Sequence, residues 1–460
     1  MRCAAAFVLA VLASAALAAQ DAAGGERFAR IVEAQLARGG VGLSVAVVQD
    51  GRLVLARGFG RSACGGDEAV TTRTRFAIGS VTKQFTCACV LLLVEDGKLA
   101  LEDKVATWYP ELTRAADISV LDLMHHVSGY PDYYPLDYVD ARMRTPISPD
   151  ELLRRYAGGP LDFEPGSRWS YSNTGYVLLG RILEKVTGRP FASVLSERIL
   201  EPLGMTDTVY LPEPGTERLA RGHVRFALGD PEPCTPEAAG WIEAAGGMWS
   251  TATDLAKWNL ALLEGRLLSP ASFAVLSSPR TCSTGRSTNY GGGLAIGVFE
   301  GRRTLGHDGA VDGFHATSLA IPALSAAVVV LANLGDGVGE LPRELLRGLL
   351  VDSVPQVPVV RGASVAETVA AVFARLQRGE PDRAAFTPDF DAYLSPERVA
   401  GAARRLGPLG APRAVELLRT AERGGMEVST TRLRFADRAL RVVMYRRPDG
   451  AIAQFFVDAG

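Results

Sequence analysis

The sequence has no excess of charge of either sign, and it has few of the residues that bind metals. Its 49 Lys and Arg residues nearly balance 51 Asp and Glu residues, for a net charge of −2. Nucleic-acid binding usually requires a basic surface, so this balance gives no electrostatic case for nucleic acid as a partner. The five His residues form no HExxH motif and no zinc-type spacing with Cys, and the pair His125-His126 is interpreted as structural. The sequence also has no P-loop, and Gly291-Gly292-Gly293 is not a dinucleotide-binding fingerprint, so neither a metal nor an organic cofactor is expected.

Cysteine is too scarce to predict a disulfide framework. Apart from the cysteine in the N-terminal segment, five remain, and this odd number leaves at least one thiol unpaired within the chain. Cys87 and Cys89 lie two residues apart on a predicted helix, so they point to different sides. The other three, Cys64, Cys234 and Cys282, either pair in an oxidising compartment or stay as buried free thiols, and the sequence leaves both alternatives open.

Long apolar runs are absent except at the N-terminus. Arg2 precedes an apolar stretch from Cys3 to Leu17, and Ala16-Leu17-Ala18 has the small-x-small pattern of a cleavage site. The stretch is shorter than the ~20 residues of a membrane span, so a membrane anchor is the weaker alternative. We expect residues 1–18 to be a signal peptide and the mature chain to be periplasmic or secreted, without a transmembrane span. The oligomeric state is left open.

The order of helical and β-rich segments predicts an α/β fold over residues 25–352. The length of 460 residues and a hydrophobic content of 47% are typical of a globular protein with roughly two to four domains. Helical patterns, including a long apolar helix over Ser80–Glu95, fill the middle of this region. Strands from its two ends can complete one antiparallel sheet, with helices on the sheet and an all-helical lobe beside it. The predicted strands are Val41–Val48, Leu53–Phe59, Arg75–Ile78, Leu294–Phe299, Gly313–Ile321 and Ser325–Asn333.

A second, smaller domain is predicted at the C-terminus. Residues 353–362 are rich in Pro and Val and lack periodicity, which is typical of a linker. Over residues 363–460, a capping box of Ser364 and Glu367 begins one helix and Ser395 begins another. Four β-rich runs follow. We expect a small α+β domain, and the sequence does not define its role.

The sharpest chemical motif is Ser80-Val81-Thr82-Lys83, at the start of the long helix. A helix N-terminus is positively polarised, and Lys83 lies one turn after Ser80, so its amine can reach the Ser80 hydroxyl. A serine hydroxyl is a weak nucleophile that needs an adjacent base, and a desolvated lysine supplies one. Alone, the motif is weak, because a capping Ser followed by a solvated Lys has the same pattern.

Two further motifs follow along the chain. Tyr171-Ser172-Asn173 lies on a turn before a helix, where a Tyr can exchange a proton with a serine and an Asn amide can bind a carbonyl. Gly306-His307-Asp308-Gly309-Ala310 is predicted to lie just before a pair of strands, where an edge strand can offer an N–H group to an oxyanion. Each segment alone also fits an ordinary turn or loop.

Together, and in this order, the three motifs resemble those of the class C β-lactamase and penicillin-binding-protein-like serine hydrolases, the S12 peptidase group of CubicO type. That family carries S-x-x-K, Y-x-N, and K-T-G or H-x-G. The resemblance covers roughly residues 27–350 and includes four further segments, Arg75–Gly79, Met124–Pro131, Pro202–Thr208 and Ala245–Thr251.

The resemblance implies a β-lactamase-like fold and a serine hydrolase that works through an acyl-enzyme. Ser80 is then the nucleophile, and Lys83 and Tyr171 share the roles of general base and acid. The backbone N–H groups of Ser80 and Ala310 form the oxyanion hole beside Gly309. Two residues complete the implied site: Asn173 orients the substrate, and His307 assists electrostatically.

One departure from the family bears on the substrate. His307 replaces the Lys of β-lactamases, and a His of ordinary pKa is mostly neutral at pH 7. This favours esters or uncharged amides over β-lactams and peptide C-termini. Three alternatives stay open: a D-peptide hydrolase, a β-lactamase or penicillin-binding protein, and a non-catalytic sensor that binds peptidoglycan or β-lactams. The sequence does not define the substrate, because loops such as Tyr130–Met143 and Thr208–Gly240 shape the cleft.

Overall fold

The computed structural model describes residues 25–459, except 137, 214, 228, 337 and 352–356. The predicted signal peptide, residues 1–18, and the first part of the predicted linker lie outside the described residues. The chain divides into two compact units, one up to Leu349 and one from Leu350 onward. Each unit is described by itself.

The first unit contains one large antiparallel sheet and several short strands. Its described strands are β1 (Gly42–Gln49), β2 (Arg52–Gly60), β3 (Phe76–Ala77), β4 (Val209–Tyr210), β5 (His223–Val224), β6 (Glu232–Pro233), β7 (Met248–Ser250), β8 (Ala295–Phe299), β9 (Arg302–Val311), β10 (Phe314–Ile321) and β11 (Ala326–Ala332). The large sheet has the order β2-β1-β11-β10-β9-β8. Strands from both ends of the unit therefore meet in one sheet, with β1 pairing directly with β11. The predicted α/β class is confirmed.

Helices cover both faces of the sheet. The described helices are α1 (residues 25–36), α2 (Thr82–Glu95), α3 (Val120–Met124), α4 (Pro149–Tyr156), α5 (Asn173–Thr187), α6 (Phe191–Leu195), α7 (Glu243–Gly246), α8 (Ala252–Leu263), α9 (Pro270–Ser277) and α10 (Leu341–Val351). Alternate residues of β1 face opposite sides: Val45 and Val47 lie in the core with α1 and α10, and Ala46 and Val48 lie in the core with α2. Because both faces are covered, the central strands are almost continuously apolar.

The predicted hairpin and long helix are confirmed. Asp50 and Gly51 join β1 to β2 with φ of 50° and 73°, the left-handed conformation that a two-residue hairpin turn requires. The predicted helix over Ser80–Glu95 forms as a 3₁₀ turn, Gly79–Val81, followed by α2. From Thr82 to Leu93 every residue of α2 is buried, because the helix lies inside the unit.

The predicted position of Gly306–Ala310 before a strand pair is wrong. These five residues lie within β9, which pairs with β10 on one side and β8 on the other. The Gly and Asp residues of the segment are weak strand formers, so the local sequence does not predict a strand there. Pairing with β10 along the whole segment, and with β8 at Gly306, overrides this local preference.

The C-terminal unit has one more helix than the sequence predicts. Its described helices are α11 (Val365–Arg378), α12 (Pro388–Tyr393) and α13 (Pro396–Leu406), and its strands are β12 (Ala414–Arg423), β13 (Met426–Arg434), β14 (Ala439–Arg446) and β15 (Ile452–Ala459). The four strands form an antiparallel meander that packs with the helices around Phe373 and Met444. The additional helix, α12, has only six residues and is capped by Thr387. The predicted α+β class of this part is confirmed.

The structure bears on the cysteines and on the expected lack of a transmembrane span. The cysteines of the described residues are all free thiols, so Cys64, Cys234 and Cys282 form no disulfide with one another. Within the described ranges, no helix combines the length and the apolar character needed to cross a bilayer.

Candidate active site

The structure brings Ser80 and Lys83 together as the sequence predicts. Ser80 lies in the 3₁₀ turn, and Lys83 lies one turn later in α2, where its side chain is fully buried. Nζ of Lys83 is 2.9 Å from Oγ of Ser80. Burial lowers the pKa of Lys83 to about 7, although the nearby Asp132 carboxylate acts in the opposite direction. A large share of Lys83 is therefore uncharged at neutral pH.

The contacts of the Lys83 amine define what it can do. Besides Ser80, Nζ contacts Oδ1 of Asn173 at 2.7 Å and the carbonyl oxygen of Ala245 at 2.8 Å. Both oxygens can only accept hydrogen bonds. A neutral amine has two N–H groups for these two acceptors and one lone pair, which is then directed at the hydroxyl of Ser80. In this state Lys83 is arranged to accept the proton of Ser80.

Tyr171 contacts Ser80 from another side. Its hydroxyl donates to Oγ of Ser80 at 2.7 Å. Burial raises the pKa of Tyr171 above its ordinary value, so the phenol keeps its proton at neutral pH. Its ring packs against the buried ring of His126, with 4.4 Å between centroids. The arrangement presents Tyr171 to Ser80 as a hydrogen-bond donor and Lys83 as the acceptor.

Asn173 is the first residue of α5, and the structure ties it to a residue that the sequence analysis missed. Ser172, not Asn173, caps α5, since its side chain accepts the N–H of Gly175. The amide nitrogen of Asn173 donates to the carboxylate of Asp132 at 3.1 and 3.3 Å. Asp132 lies in the loop Tyr130–Tyr138, but no local signal connects it to a residue 41 positions later.

His307 lies in β9 close to Tyr171, with 6.1 Å between ring centroids. Its Nε2 is 2.8 Å from the hydroxyl of Tyr290, and its Nδ1 contacts the carbonyl oxygen of Asp308. Because a carbonyl only accepts, Nδ1 carries the proton and Nε2 accepts from Tyr290. Burial lowers the pKa of His307 to about 4, so the ring is uncharged at pH 7. Tyr290 was also missed, since nothing near it in sequence marks its partner.

Gly309 and Ala310 bring the backbone of β9 against the Ser80 turn. A Cβ atom on Gly309 would lie 2.0 Å from the carbonyl oxygen of Ile78 and 3.1 Å from the nitrogen of Ser80. A Cβ atom on Gly79, which has φ of 49°, would lie 3.0 Å from the nitrogen of Ala310. Only glycine permits this approach, and it places the backbone nitrogens of Ser80 and Ala310 on adjoining segments.

A cavity of about 1160 Å³ opens over these groups. Ser80, Tyr171, Asn173, His307, Gly309 and Ala310 all line it, so the predicted site residues share one cleft apart from Lys83, which is buried beneath Ser80. Four Asp residues and two Arg residues also line the cleft: Asp132, Asp308, Asp312, Asp336, Arg144 and Arg225. The two His residues of the lining, His307 and His315, have lowered pKa values and are uncharged near pH 7.5, so the Asp residues outnumber the cations and the lining is net negative.

The sequence matches the family model described as Beta-lactamase over residues 28–352. It is 29% identical over 329 residues to a D-aminopeptidase of Brucella anthropi, a match that covers 71% of this chain and 62% of the relative. It is 30% identical over 297 residues to a D-aminopeptidase of Gluconobacter oxydans, covering 64% of this chain and 56% of the relative. The matched region thus spans about three-fifths of the length of these curated relatives.

Solved structures agree with this assignment. The D-amino acid amidase from Ochrobactrum anthropi SV3 complexed with D-phenylalanine superposes with a TM-score of 0.63 and 27% identity, covering 72% of this chain and 99% of that chain. A penicillin-binding protein homologue from Pyrococcus abyssi shares the fold with a TM-score of 0.61 and 22% identity, covering 94% of this chain and 99% of that chain. The family model covers most of the chain, and the chain therefore belongs to the Beta-lactamase family, as the resemblance of its motifs predicts.

Proposed function

We propose that the chain is an exported serine hydrolase that cleaves an amide or ester bond through a covalent acyl-Ser80 intermediate. The observation that carries the proposal is the position of Ser80 Oγ, 2.9 Å from the Lys83 amine and 2.7 Å from the Tyr171 hydroxyl, at the wall of a large cavity. Export rests on the sequence pattern of residues 1–18.

In the first step, Oγ of Ser80 bonds to the substrate carbonyl carbon while its proton passes to Nζ of Lys83. A lysine with a pKa of about 7 suits this task, because a general base works best when its pKa lies near the working pH. The backbone N–H groups of Ser80 and Ala310 donate hydrogen bonds to the carbonyl oxygen as negative charge develops on it. Tyr171, with its pKa raised, stays protonated and donates to Oγ.

In the second step, the bond between the carbonyl carbon and the leaving group breaks, leaving the acyl group on Ser80. The proton held by Lys83 reaches the departing nitrogen or oxygen through the hydroxyl of Tyr171, which donates one proton and receives another. A water molecule then adds to the acyl carbonyl and gives its proton to Lys83. The bond between the carbonyl carbon and Oγ of Ser80 breaks, Oγ takes the proton from Lys83, and the acid product leaves. Water is the co-reactant, and Ser80 and Lys83 return to their starting states.

The charge of the cleft favours one class of substrate. Four Asp residues and two Arg residues line it, and Arg225 is already paired with Asp336 at 3.5 Å. His307 is neutral where β-lactamases carry a Lys. A substrate with a free ammonium group is attracted by this lining, and a substrate carboxylate is repelled. The charge thus supports amides or esters of amino acids with a free amino group over β-lactams.

The apolar part of the cleft supports a substrate with an apolar side chain. Four large apolar residues line the cleft and are still exposed: Leu136, Tyr138, Trp169 and Phe226, which is 92% exposed. Exposed apolar surface of this kind is typical of ligand-binding grooves. Since relatives include D-aminopeptidases and a D-amino acid amidase solved with D-phenylalanine, we propose D-amino acid amides or esters with apolar side chains as substrates.

A labelling and hydrolysis experiment tests the proposal. A fluorophosphonate should add to the intact protein once, as measured by intact mass, and Ser80→Ala should abolish this addition without unfolding the protein. In a panel of D- and L-phenylalanine p-nitroanilides, p-nitrophenyl butyrate and nitrocefin, the D-anilide and the ester should be hydrolysed fastest. Efficient nitrocefin turnover would support a β-lactamase instead, and binding without turnover would support a sensor. Wild-type turnover by Ser80→Ala would refute the assignment.

A further inference from the structure

The carboxylate of Asp132 holds the start of α5 and the loop that precedes it. Its Oδ1 accepts the backbone N–H groups of Tyr134 and Asn173, each at 3.1 Å, and also the side-chain N–H of Asn173 at 3.1 Å. Its Oδ2 lies 3.3 Å from the same side-chain nitrogen. Since two backbone N–H groups converge on Oδ1, this oxygen is fixed as an acceptor, and the side-chain nitrogen of Asn173 is held toward it.

This contact determines which end of the Asn173 amide faces Lys83. With its nitrogen on Asp132, the amide presents its oxygen to Nζ of Lys83 at 2.7 Å. In the opposite orientation the amide would present N–H groups to Nζ, and these would take the lone pair of the neutral amine. Ser80 would then lose its proton acceptor. A side chain that never touches Ser80 thus controls whether the base can act.

Asp132 also brings a negative charge close to the amine. The other titratable groups that face Lys83 are uncharged near pH 7, because burial raises the pKa values of the thiol and the phenols and lowers those of the imidazoles: Cys87, Tyr171, Tyr176, His126 and His307. Within the part of the chain that the structure describes, the titratable group that faces Lys83 and carries a charge near pH 7 is the carboxylate of Asp132. It favours the protonated amine and so counteracts burial.

We infer that Asp132 is a positioning residue of the catalytic machinery: it fixes the Asn173 amide with its oxygen toward Lys83 and places a negative charge behind that contact. The inference rests on the proposed acyl-enzyme function. It assigns Asp132 a role that a residue merely closing a loop or capping a helix would not have, because the pH dependence of acylation then depends on its charge.

Two variants separate orientation from charge. Asp132→Asn keeps Oδ1 as the acceptor of three of the four contacts; it removes the charge and the longest contact, that of Oδ2 with the side-chain nitrogen of Asn173 at 3.3 Å. The rate of fluorophosphonate labelling at high pH should stay within about threefold of wild type. The acid limb of the pH profile, where the rate falls as Lys83 becomes protonated, should move to lower pH by about one unit. Asp132→Ala also frees the Asn173 amide, so its labelling rate at high pH should fall at least about tenfold. A neutral reagent is essential, because a cationic substrate would contact Asp132 directly.

The matched control is Asp122→Asn, which removes a carboxylate that also accepts a backbone N–H group at a helix start, that of Ser119 at 2.8 Å, but does not line the cavity. The acid limb of its pH profile should coincide with that of wild type. An unmoved acid limb in Asp132→Asn, or an equal movement in Asp122→Asn, would overturn the inference. If Asp132→Asn does not fold, Asp132→Ser replaces it, since Ser accepts backbone N–H groups at helix starts and carries no charge. A wild type without labelling would overturn the proposed function and this inference together, whereas failure of the inference alone leaves wild-type labelling intact.

Discussion

The protonation of Lys83 should govern how the rate of acylation depends on pH. In the proposed mechanism the neutral amine of Lys83 accepts the proton of Ser80, and a lowered pKa increases the share of that neutral form at any given pH. Burial lowers the pKa of Lys83 from 10.5 to about 7. The rate should therefore rise with pH through 7 and level off above it, since the alternative base, Tyr171, has a raised pKa and stays protonated throughout this range.

The size of the effect follows from the position of that pKa. With a value of about 7, roughly one-eleventh of Lys83 is neutral at pH 6 and roughly ten-elevenths at pH 8. Acylation should thus accelerate about tenfold between these two values. An unperturbed lysine would instead still be gaining rate about tenfold per pH unit at pH 8, without levelling off.

The assay is the second-order rate of fluorophosphonate addition, measured by intact mass at intervals of half a pH unit from 5.5 to 9. The reagent has no group that titrates in this range, so the profile reports the protein. Lys83→Ala is the control and should lose most of the rate together with the acid limb. A flat profile between pH 6 and 8, or a limb centred above 9, would refute the role of a buried neutral Lys83.

Three further predictions concern Tyr171, His307 and the boundary between the two units. Tyr171→Phe keeps the ring packing and removes only the hydroxyl at 2.7 Å from Ser80, so kcat for a neutral ester should fall by about 100-fold or more; a change below threefold would remove Tyr171 from the mechanism. His307→Lys adds a cation at the wall of the cleft, and a partly solvated charge pair contributes ~1 kcal/mol, so kcat/KM for nitrocefin should gain about tenfold or less relative to a neutral ester of similar size. An equal gain for both substrates would show that charge is not the cause. A chain ending near Pro355 should stay soluble and still be labelled at Ser80, as size-exclusion chromatography and intact mass would show; an insoluble or unlabelled product would mean that the C-terminal unit is required.

The features that were predictable from sequence are those set by short-range geometry. A two-residue turn with Asp50-Gly51 closes a hairpin wherever β-rich runs flank it, and Ser364 with Glu367 caps α11 through contacts within one turn. The spacing of Ser80 and Lys83 belongs to this group, because the pitch of a helix places residues three apart on one face. Local signals failed where pairing residues lie on other strands, as in β9. Its residues Gly306, Asp308 and Gly309 are held in a strand by β10, and Gly306 also pairs with β8.

The protonation of Lys83 and Tyr171 depends on the tertiary structure. The motifs alone named Ser80, Lys83 and Tyr171 but left open which of the latter two takes the first proton. In the proposed mechanism burial favours Lys83 as the first acceptor, because an apolar surrounding penalises an ammonium and a phenolate alike, lowering the pKa of Lys83 and raising that of Tyr171.

The partners that hold these groups were likewise decided by the fold. Asp132 lies 41 residues from Asn173, and Ala245 lies 162 residues from Lys83. Tyr290 precedes β8, and it meets His307 because β9 pairs with β8. The sequence by itself thus determined which reactive groups the protein has and the spacing of those on one helix, since both depend on covalent order and helix pitch. The protonation of those groups and the contacts that orient them were decided by the packing of distant segments, because desolvation and hydrogen bonding depend on which surroundings the folded chain encloses.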